Sequence, residues 1–421
     1  MRLKDITIFS PQYVGDNIDG DVSFVPMESL RNGTIDYKTI PFLKAKGKYT
    51  YFGNQDLLIA KVTPCFENGN IAIARNLLNG IGFGSSEIFV LRPNKEVISQ
   101  YLFYLSQSRD FQDKACATMC GVGGLKRISP LFMRTYEFDM PSIENQQRMV
   151  TYLDTKLSEI DHQVSLLTSK RDAYLRLKKS IINHAVTRGL DPNVKMKDSG
   201  IEWIGEVPEH WRRMRLKDIA YLYSGLTGKS GDDFRCDNTN ITKPYVPFTS
   251  ILNNFKINST DFPRVIMSDN ETQNQVIVND LLFLMSSEDY DSIGKSAVVN
   301  ENLGEVYLNS FCRGLRFTSK DIFANFVNYQ IQATNYRDAL RFEARGFTRI
   351  NIKIEKISSM FVCLPPLPEQ RAIATYLDDK CAKIDTIVSN LDKQISRYGD
   401  LKRSLIDEVI TGKRAVLRTL N

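Results

Sequence analysis

The segment Gly225-Leu-Thr-Gly-Lys-Ser230 carries the glycines, lysine and hydroxyl from which a phosphate-cradling loop is built, and Gly294-Lys-Ser296 repeats its ending. Such a loop needs an opening glycine so that its amides can turn toward the phosphates. Tyr223 and Asp289 stand at those positions, so both stretches read as ordinary glycine-rich loops. Acid–base or metal chemistry has little more to draw on. His162 and His184 fall on helix faces and His210 in a linker, too far apart in sequence to suggest a ligand set. The seven cysteines (Cys65, Cys116, Cys120, Cys236, Cys312, Cys363 and Cys381) contain no two-residue zinc spacing, and Cys116 with Cys120 lacks a second pair. They read as reduced, mostly buried thiols. No Asn/Asp-Pro-Pro-Tyr segment is present, no Gly-x-Gly fingerprint follows a strand in a Rossmann context, and no carboxylates take a recognisable catalytic spacing with lysine. No catalytic residue, metal ligand or cofactor bound by this chain is expected.

Recognition chemistry remains. Lys and Arg total 55 against 49 acids, a net charge of +6, which permits a polyanionic partner without requiring one. Phosphate contacts draw on Lys, Arg and hydroxyls, and base readout on Arg, Asn or Gln at loop tips. The leading candidates are Lys126 and Arg127 in Gly124–Ile128, with Thr348 and Arg349 in the similar Gly346–Ile350. Next come Lys61 and Thr63, then Ser286 and Ser287, each pair just past a matching apolar run. Lys44, Lys46 and Lys48 form a charge run whose usual meaning is a solvated loop.

These candidates recur because the chain is duplicated. MRLKDI stands at 1–6 and again at 214–219. Val25-Pro26 matches Val246-Pro247, Asp56-Leu-Leu58 matches Asp280-Leu-Leu282, and Ser86 pairs with Ser310. From Pro141/Pro365 onward the register is fixed at 224 residues: Thr151-Tyr-Leu-Asp154 with Thr375-Tyr-Leu-Asp378, Ile160-Asp161 with Ile384-Asp385, Leu177-Lys178 with Leu401-Lys402. Small shifts are tolerated in the domains and none in these tails, so length itself matters there.

Periodicity gives the reason. Leu153, Leu157, Ile160, Val164 and Leu167 continue through Arg171, Tyr174, Lys178, Ile181 and Ala185 by alternating steps of four and three. Leu377, Cys381, Ile384, Val388, Leu391 and Ile395 do the same through Tyr398, Lys402, Leu405 and Val409. That is a coiled-coil seam. Pro141 and Pro368 mark the helix starts, Gly189 and Gly412 the ends. Each seam rises through 32 residue steps from first to last, on the order of 48 Å. Packed antiparallel, the helices would hold two domains at opposite ends about a pseudo-two-fold axis, a span of roughly 14 base pairs.

The chain therefore divides into a first globular domain (1–142), a long helix (143–190), a linker (191–213), a second domain (214–366), a second long helix (367–413) and a tail (414–421). Within the domains, Asp56–Lys61, Glu87–Pro93, Asp280–Met285 and Gly314–Thr318 read as strands, and Gln100–Lys114 and Ile322–Phe342 as helices. The fold class is α/β (mixed α+β). Asp191-Pro192, Ser199-Gly200 and Val207-Pro208 mark the linker as loop, docked by Trp203 and Trp211. A hydrophobic content of 42% and a charged content of 25% fit an ordinary globular protein. Without a signal-like start or a run of roughly 18 apolar residues, a cytoplasmic location off the membrane is expected.

The order of domain, long helix opening with Gln146-Gln-Arg148 or Glu369-Gln-Arg371 and Tyr-Leu-Asp, second domain and second helix resembles the specificity subunit of type I restriction–modification systems. Pro141–Gly189, Glu202–Ile219 and Pro365–Lys413 carry the likeness, and Asp56–Lys61 and Gly346–Ile350 resemble recurring segments of that family's target-recognition domains. The resemblance implies double-stranded DNA read as a split target, one half-site per domain. It implies docking of methyltransferase subunits, two of them, which bring S-adenosylmethionine. Restriction subunits would add ATP- and Mg-dependent translocation and cleavage. Two other readings stay open: a recognition subunit whose methyltransferase and nuclease are fused in one partner, and a coiled-coil scaffold whose domains bind protein.

Overall fold

The computed structural model describes residues 1–122, 124–235, 241–258, 261–268 and 270–416, so Cys236 and the end of the tail lie outside the described residues. Two compact units emerge: Met1–Ser169 with the segment from Leu391 onward, and Lys170–Asn390.

The first unit is built on two four-stranded sheets. In one, Thr7–Phe9, Ile88–Pro93, Leu57–Ala60 and Ile71–Ile73 lie side by side, all antiparallel. All four side chains of Leu57–Ala60 are buried, which is why that strand is apolar without alternation. The other sheet orders Lys38–Pro41, Asp21–Val25, Ile81–Gly84 and Thr50–Gly53, with one parallel pair. The second unit repeats the first sheet as Ala220–Ser224, Cys312–Phe317, Leu281–Leu284 and Ser296–Val299, with Lys256–Ile257 at the edge. Arg264–Ile266, Thr242–Val246 and Tyr307–Leu308 make its smaller sheet.

Each main sheet carries the same ion pair, a buried carboxylate beneath a partly exposed guanidinium. Asp56, 1% exposed, accepts two bonds from Arg92 (2.8 and 2.7 Å) and one from the Gly53 amide. Asp280, fully buried, accepts the corresponding pair from Arg316 (2.9 and 2.7 Å), the Ile277 amide and the Tyr223 hydroxyl at 2.6 Å. The carboxylate beside each guanidinium raises the arginine's pKa, and burial raises that of Tyr223.

Both predicted domain helices are broken in two. Gln100–Lys114 resolves into Ser99–Gln107 and Arg109–Ala117, and Ile322–Phe342 into Ala324–Gln332 and Thr334–Glu343. The break is a single extended residue, Ser108 or Ala333. It frees the next amide for a side-chain acceptor: Arg109 N donates to Asp407, and Thr334 N to Asn183. Asn183 and Asp407 are 224 residues apart on the long helices.

Those helices run from Ile143 to Arg188 and from Leu367 to Ile410, 46 and 44 residues, and end at Gly189 and Gly412 with φ near +73°. The first unit takes the start of the first helix and the end of the second; the second unit takes the remaining halves. Within each unit the two segments run antiparallel. Leu153, Leu157 and Ile160 are buried with Leu405, Ile406 and Val409, and Val164 packs on the same core. Leu377 and Cys381 are buried with Ala185 and Val186. Ile384 and Leu391 are buried, while Leu167, Val388 and Ile395 are half-buried.

The repeated tail motifs are the joints of this scaffold. Gln146 donates to Glu96 O and Pro141 O and accepts from Ile98 N, and Gln370 makes the same three bonds with Asp321, Pro365 and Phe323. Asp154 accepts the Tyr104 hydroxyl and Asp378 that of Tyr329. Asp161 pairs with Lys402, and Asp385 with Lys178, both at 2.6 Å.

The linker is not loop throughout. Met196–Asp198 pairs with Glu206–Pro208, and Arg212–Arg215 with Phe361–Leu364. Ser199-Gly200 and Gly205 supply the turn, with both glycines at φ above +70°, and Pro208 ends an edge strand, where its missing amide costs no ladder bond. The Trp211 indole is buried, donates to Glu369 and meets Phe326 edge-on, while Trp203 packs on Tyr336.

Candidate nucleic-acid interface

The glycine-rich segment at 225–230 holds no phosphate cradle. Lys229 is bound to Glu271 at 2.6 Å, and Gly225 faces the Asn309 carbonyl so closely that a Cβ would stand 2.0 Å away. His210 is hydrogen-bonded to Glu369, while His162 and His184 are exposed on the first long helix. Cys312, Cys363 and Cys381 are buried and Cys120 is exposed, and burial pushes the Cys312 thiol up to about 12. Among the described residues no three His, Cys, Asp or Glu side chains gather as a metal site, and no helix is long and apolar enough to cross a membrane. Lys46 reaches Asn17 and lies over the Tyr13 and Phe42 rings, while Lys44 and Lys48 are exposed.

The recognition candidates do converge. In the first unit, Lys61 and Thr63 follow the central strand and pair with the loop that carries Lys126 and Arg127. Ile128 N donates to Lys61 O, and Thr63 N to Lys126 O. The Thr63 hydroxyl bonds Gly124 O and receives Lys126 N. Mutual backbone bonds between Cys120 and Arg127 close the loop. Gly121 opens it at φ +155°, where a Cβ would stand 2.1 Å from Leu125 O. Arg127 then extends to Glu87 in a bidentate pair of 2.9 and 3.0 Å, which holds the Glu87 carboxyl below the usual range. Lys61 crosses the Phe89 ring to reach Ser86 O, and burial lowers its pKa. Lys126 is exposed.

The second unit builds the same loop with other side chains. Ile352 N donates to Met285 O, and Ser286-Ser287 pairs with Ile350-Asn351. Mutual bonds between Arg345 and Asn351 close the loop, and Gly346 opens it at φ +143°. Ser286 and Ser287 are buried, and Thr348 is exposed. Arg349 donates to the Ser286 hydroxyl at 2.7 Å and covers the Phe311 ring at 4.6 Å. A cleft of about 440 Å³ opens there among Ser287, Asp289, Phe311 and Arg349.

This ladder corrects the alignment of the two loops. Ile128 and Ile352 bond Lys61 and Met285, so Arg127 matches Asn351 and not Arg349. The second loop is one residue shorter between its closing pairs, which puts the Gly-x-x-Arg-Ile likeness two residues out of register. Two arginines thus reach one place from different ladder positions. Their partners Glu87 and Phe311 were missed as site residues, although they directly follow the matched Ser86 and Ser310.

Glu87 competes with any polyanion for Arg127. Glu87→Gln removes the ionic partner of Arg127, so binding to a generic phosphate polymer is expected to tighten about threefold with a steeper salt dependence. Fluorescence anisotropy over a salt series measures this; an unchanged slope would mean that Arg127 meets no phosphate.

Two domains of one design, with equivalent loops carrying different side chains and helices kept in strict register, define an internally duplicated protein. Residues 8–166 and 208–397 match the family described as "Type I restriction modification DNA specificity domain". The chain belongs to that family and carries its domain twice. It is 20% identical to the MjaVIII specificity subunit of Methanocaldococcus jannaschii over 410 residues, 95% of this chain and 88% of that protein. To the Escherichia coli EcoAI specificity subunit it is 28% identical over 216 residues, 50% of this chain. The chain spans about a third of the length of EcoAI and of the similar EcoEI subunit, 34% and 31%. In fold it is similar to a chain solved in work on assembly and conformational transition of the type I R-M system (TM-score 0.75, 15% identity, 98% of this chain and 97% of that one). The HsdS subunit from Thermoanaerobacter tengcongensis matches at TM-score 0.54 with 16% identity, covering 98% and 96%.

Proposed function

We propose that this chain selects the DNA site for a type I restriction–modification complex, each domain reading one half of a split target. The observation that carries this reading is the shared loop ladder bearing different side chains in the two units: Lys61, Thr63, Lys126 and Arg127 with Glu87 in one, Ser286, Ser287, Thr348 and Arg349 with Phe311 in the other. One scaffold with two surfaces is what two different half-sites require. The unbroken register of the helical tails supports a gap of constant length between the half-sites. Methyltransferase subunits, two of them, would dock on this chain and supply S-adenosylmethionine chemistry. Restriction subunits would bring ATP- and Mg-dependent cleavage, and this chain would carry out neither reaction.

Sequencing the methylated bases in cells that express this chain with its methyltransferase tests the reading. A modified two-part motif with a constant gap supports it; a continuous motif defeats it. Arg127→Ala and Arg349→Ala are each expected to weaken binding by about 1–3 kcal/mol through one half-site only. Competition with duplexes altered in one half at a time assigns each arginine to its half, and equal losses on both would break the assignment.

A further inference from the structure

The loop that carries Arg349 ends in an aromatic ring with nothing over it. Phe347 is 98% exposed, the most exposed of the large apolar side chains among the described residues. It does not sit on a slack loop. Arg345 and Asn351 bond each other through both backbone groups at 2.9 and 2.8 Å, Gly346 takes a turn that a Cβ would block, and the Tyr290 hydroxyl holds Gly346 O. The ring is presented, and burying it would stabilise an encounter that folding leaves unused.

Its surroundings are cationic and aromatic. Arg349 lies over Phe311 and Arg345 over Phe342, and Phe311 and Phe342 are themselves 51% and 76% exposed. The equivalent loop of the first unit, on the same ladder, also has apolar tips: Val122 is 90% exposed and Leu125 55%. An apolar tip flanked by cations, present in both domains, is the chemistry of a wedge that enters between base pairs while neighbouring guanidiniums meet phosphates.

We propose that Phe347 wedges into the base stack of the half-site read by the second unit, with Arg345 and Arg349 on the flanking backbone. This rests on the DNA-reading function proposed above. Val122 and Leu125 play the corresponding part in the first unit, as aliphatic wedges.

The test uses the complex of the full chain with its methyltransferase, and target duplexes carrying 2-aminopurine at successive steps of each half-site. Binding by the unaltered complex is expected to raise fluorescence at one step of the second unit's half-site. Phe347→Ala should abolish that rise and weaken specific binding about tenfold, leaving assembly with the methyltransferase and the other half-site unchanged. Phe347→Trp should keep the signal. Equal affinity and equal fluorescence for Phe347→Ala overturn the wedge while the DNA-reading function stands. Loss of methyltransferase assembly overturns it by showing that the ring meets protein. An unaltered complex that fails to prefer its target over a scrambled duplex removes the underlying function, and the wedge with it.

Discussion

Asp280→Ala is expected to destabilise the second unit by about 3–5 kcal/mol, because a partly exposed Arg316 guanidinium loses its counter-ion and the groups bonded to the buried carboxylate lose their acceptor. The same change strips the Tyr223 hydroxyl and the Ile277 amide of their acceptor. At about 2–4 °C per kcal/mol for a unit of this size, the melting temperature should fall by roughly 10 °C. Asp56→Ala in the first unit removes the equivalent pair with Arg92 but no tyrosine hydroxyl, so its effect should be the smaller. Calorimetry of both variants makes the comparison. Equal shifts would show that Tyr223 contributes nothing, and no shift for Asp280→Ala would remove the ion pair from the scaffold.

Ending the chain at Asn390 should unfold the first unit and spare the second. Leu405, Ile406, Val409 and Ile410 are buried in the first unit's core, and at about 1.5–3 kcal/mol each their loss is on the order of 6–12 kcal/mol. That equals the whole stability of an ordinary domain, about 5–15 kcal/mol. The truncation also leaves Asp161 without Lys402 and Arg109 N without Asp407. Hydrogen exchange is the measurement. Leu57–Ala60 should lose protection while Leu281–Leu284, whose unit is complete at Asn390, keeps it. Protection retained at Leu57–Ala60 would show that the second helix's end is dispensable to the first unit.

Much of this scaffold can be read from the residues. The seam from Leu153 to Leu167 and from Leu377 to Ile395 is legible because a 3.5-residue period leaves few other ways to bury its side chains. The breaks at Ser108 and Ala333 are not legible. The acceptor that receives each freed amide, Asp407 or Asn183, arrives from distant sequence, whereas local preference alone favours one continuous helix. The linker hairpin was hidden for a similar reason, since Ser199-Gly200 marks a turn equally well in a loop and between two strands. At the candidate interface, residue type announced Arg127 and Arg349, but their registration was misread. Backbone pairing to Lys61 and Met285 sets it, and a Gly-x-x-Arg-Ile match carries no information about that ladder. Phe347 escaped notice because an apolar residue in a loop gives no sign of whether it is covered.

The exchange of helix halves also has a consequence for the order in which the protein is made. The ribosome finishes residue 169 some 220 residues before it reaches Leu391, an interval of roughly 10–45 s at 5–20 residues per second. For that time the stripe of Leu153, Leu157 and Ile160 has no Leu405 or Val409 to pack against. The second unit, closed by Asn390, has all its parts sooner. Of the two units, the one begun earlier is therefore completed later, and the nascent chain must keep a greasy helix face from straying until residues 405–410 emerge.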